Sequence, residues 1–369
     1  MMKRILLLVL ALLTVLSATS CGRVTQLVGG TQESTPASEE SVSPAPQESK
    51  EQSDSDAAVS APSILDIPED ARYTATVLTV GDVKISYGLY RYYYRNIADS
   101  MAGEDGDYFK NNPDKLAELE ERAIEQCKVV ASYYLMAQKA GYTLPDEKEL
   151  EEAFVEYVKT YEPMYPLYYG VSLADYLKQS YMTLSTYKTM FVVNEYLGEP
   201  IYNYLSDEKN GMLDLSQQAL EKALEEYRCV KHILVGYSDG LKDEEALTLA
   251  RDLAKQLREG GDIDALMKEY SNDYQQDGQN AYTFTYGEMV KEFEDTAFSM
   301  EVGQVSDPVK STYGYHVIVR LEIDKEAFEK AQFKEIAVSN AFTAFVEGQK
   351  STLLEAFEEQ CTYEKLMAD

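Results

Sequence analysis

Two stretches of helical spacing enclose a block with a different rhythm, and that interruption limits the possible folds more than any other feature. The first stretch, 72–227, opens with strand formers at Tyr73–Val80, a Gly81-Asp82 turn and a return at Val83–Ile85. That is the pattern of a hairpin. Ser86 then stands where an N-cap belongs, ahead of Leu89, Tyr90, Tyr93 and Tyr94 at helical spacing. The spacing predicts helices at Leu116–Ala140 (closed by Gly141), from Asp146, from Ser172, at Leu184–Leu197 and at Ser216–Tyr227. The block 228–323 instead reads strand (Arg228–Val235), helix (Glu244–Glu259), short helix (Asp262–Tyr270) and strand (Tyr282–Thr285). It continues with helix (Phe293–Ser299) and two strands (Val309–Ser311, His316–Leu321). This is a compact α+β order. Helical spacing resumes at Lys325–Tyr363, with Phe328, Phe333, Phe342, Phe345 and Phe357. That tail is too short to bury a core alone. It is expected to return to the first stretch, so that 324–369 completes a helical domain interrupted by 228–323.

The N-terminus speaks to the compartment. Lys3 and Arg4 precede an apolar run from Ile5 to Leu16. A membrane span needs about 20 apolar residues, so this run fits the core of a secretory signal instead. Small residues Ser17–Ser20 lead directly into Cys21. This resembles the lipobox of bacterial lipoproteins, with Ala18 where a Leu is usual. It implies a signal peptide over 1–20, acylation of Cys21 and a lipid anchor on the extracytoplasmic face of the bacterial cell membrane. An ordinary cleaved signal with an incidental cysteine is the plainer alternative. From 21 to 71 the chain is mostly Ser, Pro, Ala, Glu and Gln, the composition of a disordered tether. Cys127, Cys229 and Cys361 are widely spaced, with no CxxC pair. They read as buried thiols, not as a disulfide framework or a zinc site.

Composition excludes some functions. The formal charge is −30, from 64 acidic and 34 basic side chains. Nucleic acid is therefore not an expected partner, because phosphate contacts need clustered Lys and Arg. With only two histidines, a His-rich metal site is not expected, and neither a metal nor a cofactor is assigned. Tyr is abundant at 30 and Trp is absent. Many of the tyrosines fall in the helical stretch, where they either pack a core or offer apolar faces to unfolded chains.

The middle block resembles a parvulin-type peptidyl-prolyl cis-trans isomerase. The resemblance rests on VKHILV at 230–235, YSND at 270–273 and FEDTAFSMEVGQVSDPVKSTYGYHVIVRLE at 293–322. With the signal, the tether and the flanking helices, the order of parts resembles a PrsA-type foldase. The implied fold is a parvulin-like four-stranded sheet with helices, inserted in a mainly helical, SurA/PrsA-like chaperone domain. The implied catalytic residues are His232, Asp273 and His316, and the implied substrate-binding residues are Met289, Phe293, Tyr313 and Ser311. Lone strand histidines and loop aspartates are more often structural, and Met289 and Phe293 would be core residues in any fold. Partners would be unfolded or newly exported polypeptides, with homodimerisation left open. Where parvulins carry a GGDLG-like stretch, this chain has GQNAY at 278–282, with Ala281 near the position of the usual Leu. A chaperone with a weak or inactive isomerase module is therefore the alternative to a catalytic foldase. The loop 236–242 has no Arg cluster, which disfavours phosphopeptides as substrates.

Overall fold

The computed structural model describes residues 63–237, 241–276, 278 and 280–368. The signal peptide, Cys21 and most of the expected tether lie outside the described residues. In chain order the main elements are β1 (Thr76–Val80), β2 (Val83–Ser86), α1 (Tyr87–Ala102), α2 (Lys115–Lys139), α3 (Glu147–Tyr161), α4 (Leu173–Gln179) and α5 (Leu184–Val192). Then come α6 (Gln217–Glu226), β3 (Tyr227–Gly236), α7 (Asp243–Arg258), α8 (Ile263–Tyr270), β4 (Tyr282–Thr285) and α9 (Lys291–Ser299). β5 (Val309–Lys310), β6 (Gly314–Leu321), α10 (Lys334–Glu347), β7 (Ser351–Leu353) and α11 (Glu355–Gln360) follow, and a short helix at Tyr363–Met367 comes after them. Two compact units result. One comprises the residues up to Tyr204 together with those from Thr343, and the other is Leu205–Phe342.

In the first unit, the hairpin turns at Gly81, whose φ of +57° suits glycine. Ser86 caps α1 by accepting from the Leu89 N–H at 3.2 Å. The face of α1 carrying Tyr87, Leu89, Tyr90, Tyr93 and Tyr94 is buried, as are Leu119, Ala123, Cys127 and Met136 of α2. Five tyrosines of this unit, Tyr87, Tyr90, Tyr93, Tyr94 and Tyr133, are thus core.

Three expectations need correcting. The tether does not run to residue 71. The Ser63 hydroxyl and the Ile64 N–H both donate to the Glu162 carboxylate, at 2.6 and 2.7 Å, and Ile64 is buried. Its partner lies far along the chain, where local composition gives no sign of it. The hairpin is also not alone. β7 pairs antiparallel with β1, Leu78 opposite Leu353, giving a three-stranded sheet ordered β2-β1-β7. Finally, residues 324–342 do not belong with the tail. Phe328 and Phe333 pack with Leu220 and Ala223 of α6, inside the second unit.

The second unit is α+β. Its four-stranded antiparallel sheet runs β4-β3-β6-β5. β3 and β6 pair along eight residues, from Cys229 opposite Leu321 to Gly236 opposite Gly314. One core joins Ile233, Val235 and Val317 to Ala246, Ala250 and Leu253 of α7 and Met267 of α8. A second joins Val230, Phe284 and Ile318 to Phe293 and Ala297 of α9. The two cores follow from strand alternation, which sends successive side chains of β3 to opposite faces.

Candidate active site

His232 and His316 lie on the two central strands, on the sheet face that also carries Val230, Ile318 and α9. In the β3–β6 register His232 sits opposite Ile318 and His316 opposite Leu234. The two histidines are therefore diagonal neighbours on one face, and their Nδ1 atoms are 3.1 Å apart. Both are 5% exposed. Phe293 of α9 covers them, its ring edge-on to His232 at 5.1 Å and to His316 at 5.2 Å.

A chain of hydrogen bonds runs through the pair. His232 Nε2 is 3.0 Å from Asp273 Oδ2, and the Tyr282 hydroxyl donates to that same oxygen at 2.8 Å. At the other end, Ser311 Oγ is 2.8 Å from His316 Nε2. An ionised carboxylate only accepts, so His232 Nε2 carries a proton. With both rings neutral, His232 Nδ1 accepts from His316 Nδ1–H, and His316 Nε2 accepts from the Ser311 hydroxyl. Every member then has one role and no buried nitrogen is left unpaired.

The electrostatics agree with this direction. The His232 hydrogen bond holds the Asp273 carboxyl below the usual range despite partial burial, with Tyr282 helping. Burial, reinforced by His232, pushes His316 down to about 4 and keeps it neutral. Burial and the Asp273 bond push Tyr282 up to about 12, so it remains a donor.

The loop before Asp273 is sewn to β3 where β4 no longer covers it, since β4 pairs only with Tyr227–Val230. Ser271 Oγ accepts from the Leu234 N–H at 3.0 Å and the Asp273 N–H at 3.3 Å. Asn272 Oδ1 accepts from the Gly236 N–H at 2.7 Å. These bonds fix the Asp273 backbone and supply donors and acceptors that the strand edge lacks.

The substrate-binding candidates are placed differently from one another. Phe293 is buried over the histidines, and Met289 is half-buried beside it in the same core. Tyr313 is 62% exposed. Ser311 is buried on His316 and also accepts from the Tyr313 N–H at 3.1 Å, which puts it inside the network. Three supporting residues escaped sequence reading. Tyr282 follows the loop without any motif. Asn280 is buried and exchanges two hydrogen bonds with the Gln275 backbone. Glu294, also buried, accepts from the Gly287 and Met289 N–H groups at 2.8 and 3.3 Å and so places Met289. A buried glutamate at a helix start could have been flagged, since unpaired acids seldom go inside. Among the described residues no three His, Cys, Asp or Glu side chains converge as metal ligands.

Residues 232–322 match the PPIC-type PPIase (rotamase) family, and this span holds the whole histidine network. This block is a parvulin-type isomerase domain. Foldase protein PrsA 4 of Bacillus cereus is 37% identical over 125 residues, 29% of this chain and 41% of that protein. Chaperone SurA of Chromohalobacter salexigens is 38% identical over 104 residues, 28% of this chain and 24% of that protein. The chain thus spans less than half the length of these curated relatives. The crystal structure of PrsA from Bacillus subtilis aligns over 74% of this chain and 91% of its own, at 18% identity and a TM-score of 0.26. That score is too low to support the fold, which stands on the sheet order and register above.

Proposed function

We propose that this chain is a membrane-anchored extracytoplasmic foldase. Its parvulin domain speeds X-Pro isomerisation in exported proteins, and its helical unit holds unfolded segments. The observation that carries this reading is the unbroken chain Ser311–His316–His232–Asp273–Tyr282 beneath Phe293.

Rotating an amide costs about 18–20 kcal/mol because the twist breaks C–N resonance. No nucleophile is needed to lower that barrier. A site need only grip the proline ring and favour the twisted amide by its fixed dipoles. In this reading Met289 and Phe293 grip the ring, and Tyr313 forms an exposed lip. His232, His316 and Asp273 form a network of fixed polarity that is already ordered before substrate arrives. Phosphorylated substrates are disfavoured, since Lys310, near the site on β5, is paired with Asp243 at 2.7 Å. Ala281, exposed in place of a bulky wall, favours the alternative of a holdase with a weak isomerase module.

The holding role draws support from the first unit, where Met164, Leu167, Tyr168 and Tyr169 are exposed together, Leu167 at 83%. Contiguous exposed apolar groups mark interaction sites. The names of the relatives, foldase and chaperone, point the same way. Anchoring through Cys21 would place this activity at the membrane, and Cys21→Ser should release the protein to the medium or leave it unprocessed.

The decisive measurement is cis-to-trans conversion of an unphosphorylated Xaa-Pro peptide by the full chain. Acceleration that falls with His232→Ala supports the catalytic reading. A rate equal to the uncatalysed control, from folded protein, leaves the holdase.

A further inference from the structure

The first unit has a cavity of its own. A cavity of about 820 Å³ opens between α2, β7 and α11. Three of its features point to one kind of ligand.

The first is an open sheet edge. β7 is the outer strand of its sheet, and Ser351, Thr352 and Leu353 are all exposed. The Leu354 N–H donates to Val77 and the Lys350 carbonyl accepts from Gly81, so the even-numbered residues face β1. In an antiparallel ladder the N–H and C=O of one residue point the same way, and the next residue's point opposite. The backbone groups of Ser351 and Leu353 therefore face outward, and these are the two strand residues that line the cavity.

The second feature is charge. Glu120, Glu121 and Glu358 line the cavity, and none of them has an ion-pair partner among the described residues. Lys115 pairs with Glu118 and Lys128 with Glu125, so neither of these two neutralises the three carboxylates. Partial burial raises the Glu120 carboxyl above its usual range. A cation at this point would relieve that cost.

The third feature is an orphan hydroxyl. Tyr90 is 0% exposed and its hydroxyl makes no hydrogen bond. Its ring packs against Tyr94 at 5.8 Å and Phe357 at 4.9 Å, both of which line the cavity. Buried polar atoms without a partner are rare and costly.

We propose that this groove binds an extended cationic polypeptide segment, which adds as a strand to the outer edge of β7 and sets a Lys or Arg side chain against Glu120. The strand supplies the backbone partners that Ser351 and Leu353 lack, and the acidic wall selects the side chain. This deepens the foldase reading, on which the choice of polypeptide as ligand rests. The groove would take basic stretches of unfolded clients, independently of proline.

The test uses the full chain and a short fluorescent peptide of alternating valine and threonine with one central lysine. A twin peptide carries glutamate in its place. Anisotropy should show binding of the lysine peptide and at least about tenfold weaker binding of its twin. Glu120→Gln should weaken the lysine peptide by a similar factor. Leu353→Pro removes an outward N–H together with a leucine side chain of the cavity wall, on an edge strand that tolerates proline, and should abolish binding. Neither substitution should alter the isomerisation rate. Equal affinity of the two peptides, no binding by the wild type, or unchanged binding by both variants would overturn the proposal. Should Leu353→Pro lower the unfolding midpoint, Glu120→Gln decides alone. Peptide binding without isomerisation would sink the catalytic reading and leave this one standing.

Discussion

At the residue scale, Ser311, His316, His232, Asp273 and Tyr282 form one hydrogen-bonded chain, so its members should not behave alike when removed. Asp273→Asn keeps the shape but puts a neutral amide where His232 Nε2 and the Tyr282 hydroxyl converge. It should lower the isomerisation rate about ten- to a hundredfold, the worth of a charge-assisted hydrogen bond of about 1.5–3 kcal/mol. Tyr282→Phe removes one of two donors to Asp273 and should cost less, about tenfold or below. Asp273→Asn should act on kcat more than on KM, since Asp273 lies outside the apolar cluster of Met289 and Phe293, whereas Tyr282 packs against that cluster and its loss should raise KM as well. Acid should destabilise the domain through His316. Its ordinary value is 6.5 and burial takes it to about 4 in the fold. The unfolded chain therefore binds the proton first, and stability falls as pH drops from about 6.5 towards 4, by at most about 3 kcal/mol. Depression of the Asp273 carboxyl adds a loss in the same direction at lower pH. Denaturant melts across that window should show the slope, and His316→Gln should flatten it. The two histidines were legible in the sequence because they are the only two and each sits in a strand motif. Tyr282 was not, because its role depends on β4 pairing Tyr282 with Val230, a register that no local pattern specifies.

At the element scale, periodicity reveals elements with one buried face and conceals those without one. The strand–helix order of the second unit was readable because β3 and β6 are apolar runs and α7 has a continuous apolar face. β7 was hidden because all three of its residues are exposed, so neither alternation nor an apolar run marks it. The Ile64 anchor was hidden for a related reason, since one apolar residue has no period. Gly314 shows how tightly a motif can be held by backbone alone. Its φ is +146°, and a Cβ there would lie 2.2 Å from the Val235 carbonyl and 2.8 Å from Gly236 Cα. Neither neighbour is a flexible side chain, so β3 and β6 would have to part at the end nearest Ser311 and Tyr313. Gly314→Ala is expected to destabilise the parvulin domain by at least about 2 kcal/mol, read as a lower denaturant midpoint. The same change should slow isomerisation in the folded fraction, because Ser311 N–H donates to the Gly314 carbonyl at 2.9 Å and Ser311 closes the hydrogen-bond chain on His316.

At the scale of the whole molecule, the first unit is built from two pieces of chain separated by the second, and its stability should depend on both. The tail supplies β7 to the sheet edge, Phe357 edge-on to Tyr90 at 4.9 Å, and buried Cys361 and Leu366. Arg95 of α1 donates to the Leu366 carbonyl at 3.2 Å, so the last turn is tied to the first helix. Losing two large buried side chains alone costs about 2–5 kcal/mol each, comparable with the whole stability of a small domain. A chain ended after Phe342 should therefore lose the cooperative unfolding of residues 63–204. Residues 205–342 keep their three cores and should retain their own midpoint. Denaturation followed by hydrogen exchange separates the two, since each unit's amides report on it alone. The isomerisation rate of the shortened chain should stay near that of the full one, while suppression of aggregation of an unfolded reporter should fall. If residues 63–204 keep their protection without the tail, the unit is not discontinuous in energy, whatever its contacts. The tail would then be an accessory and not the second half of a domain.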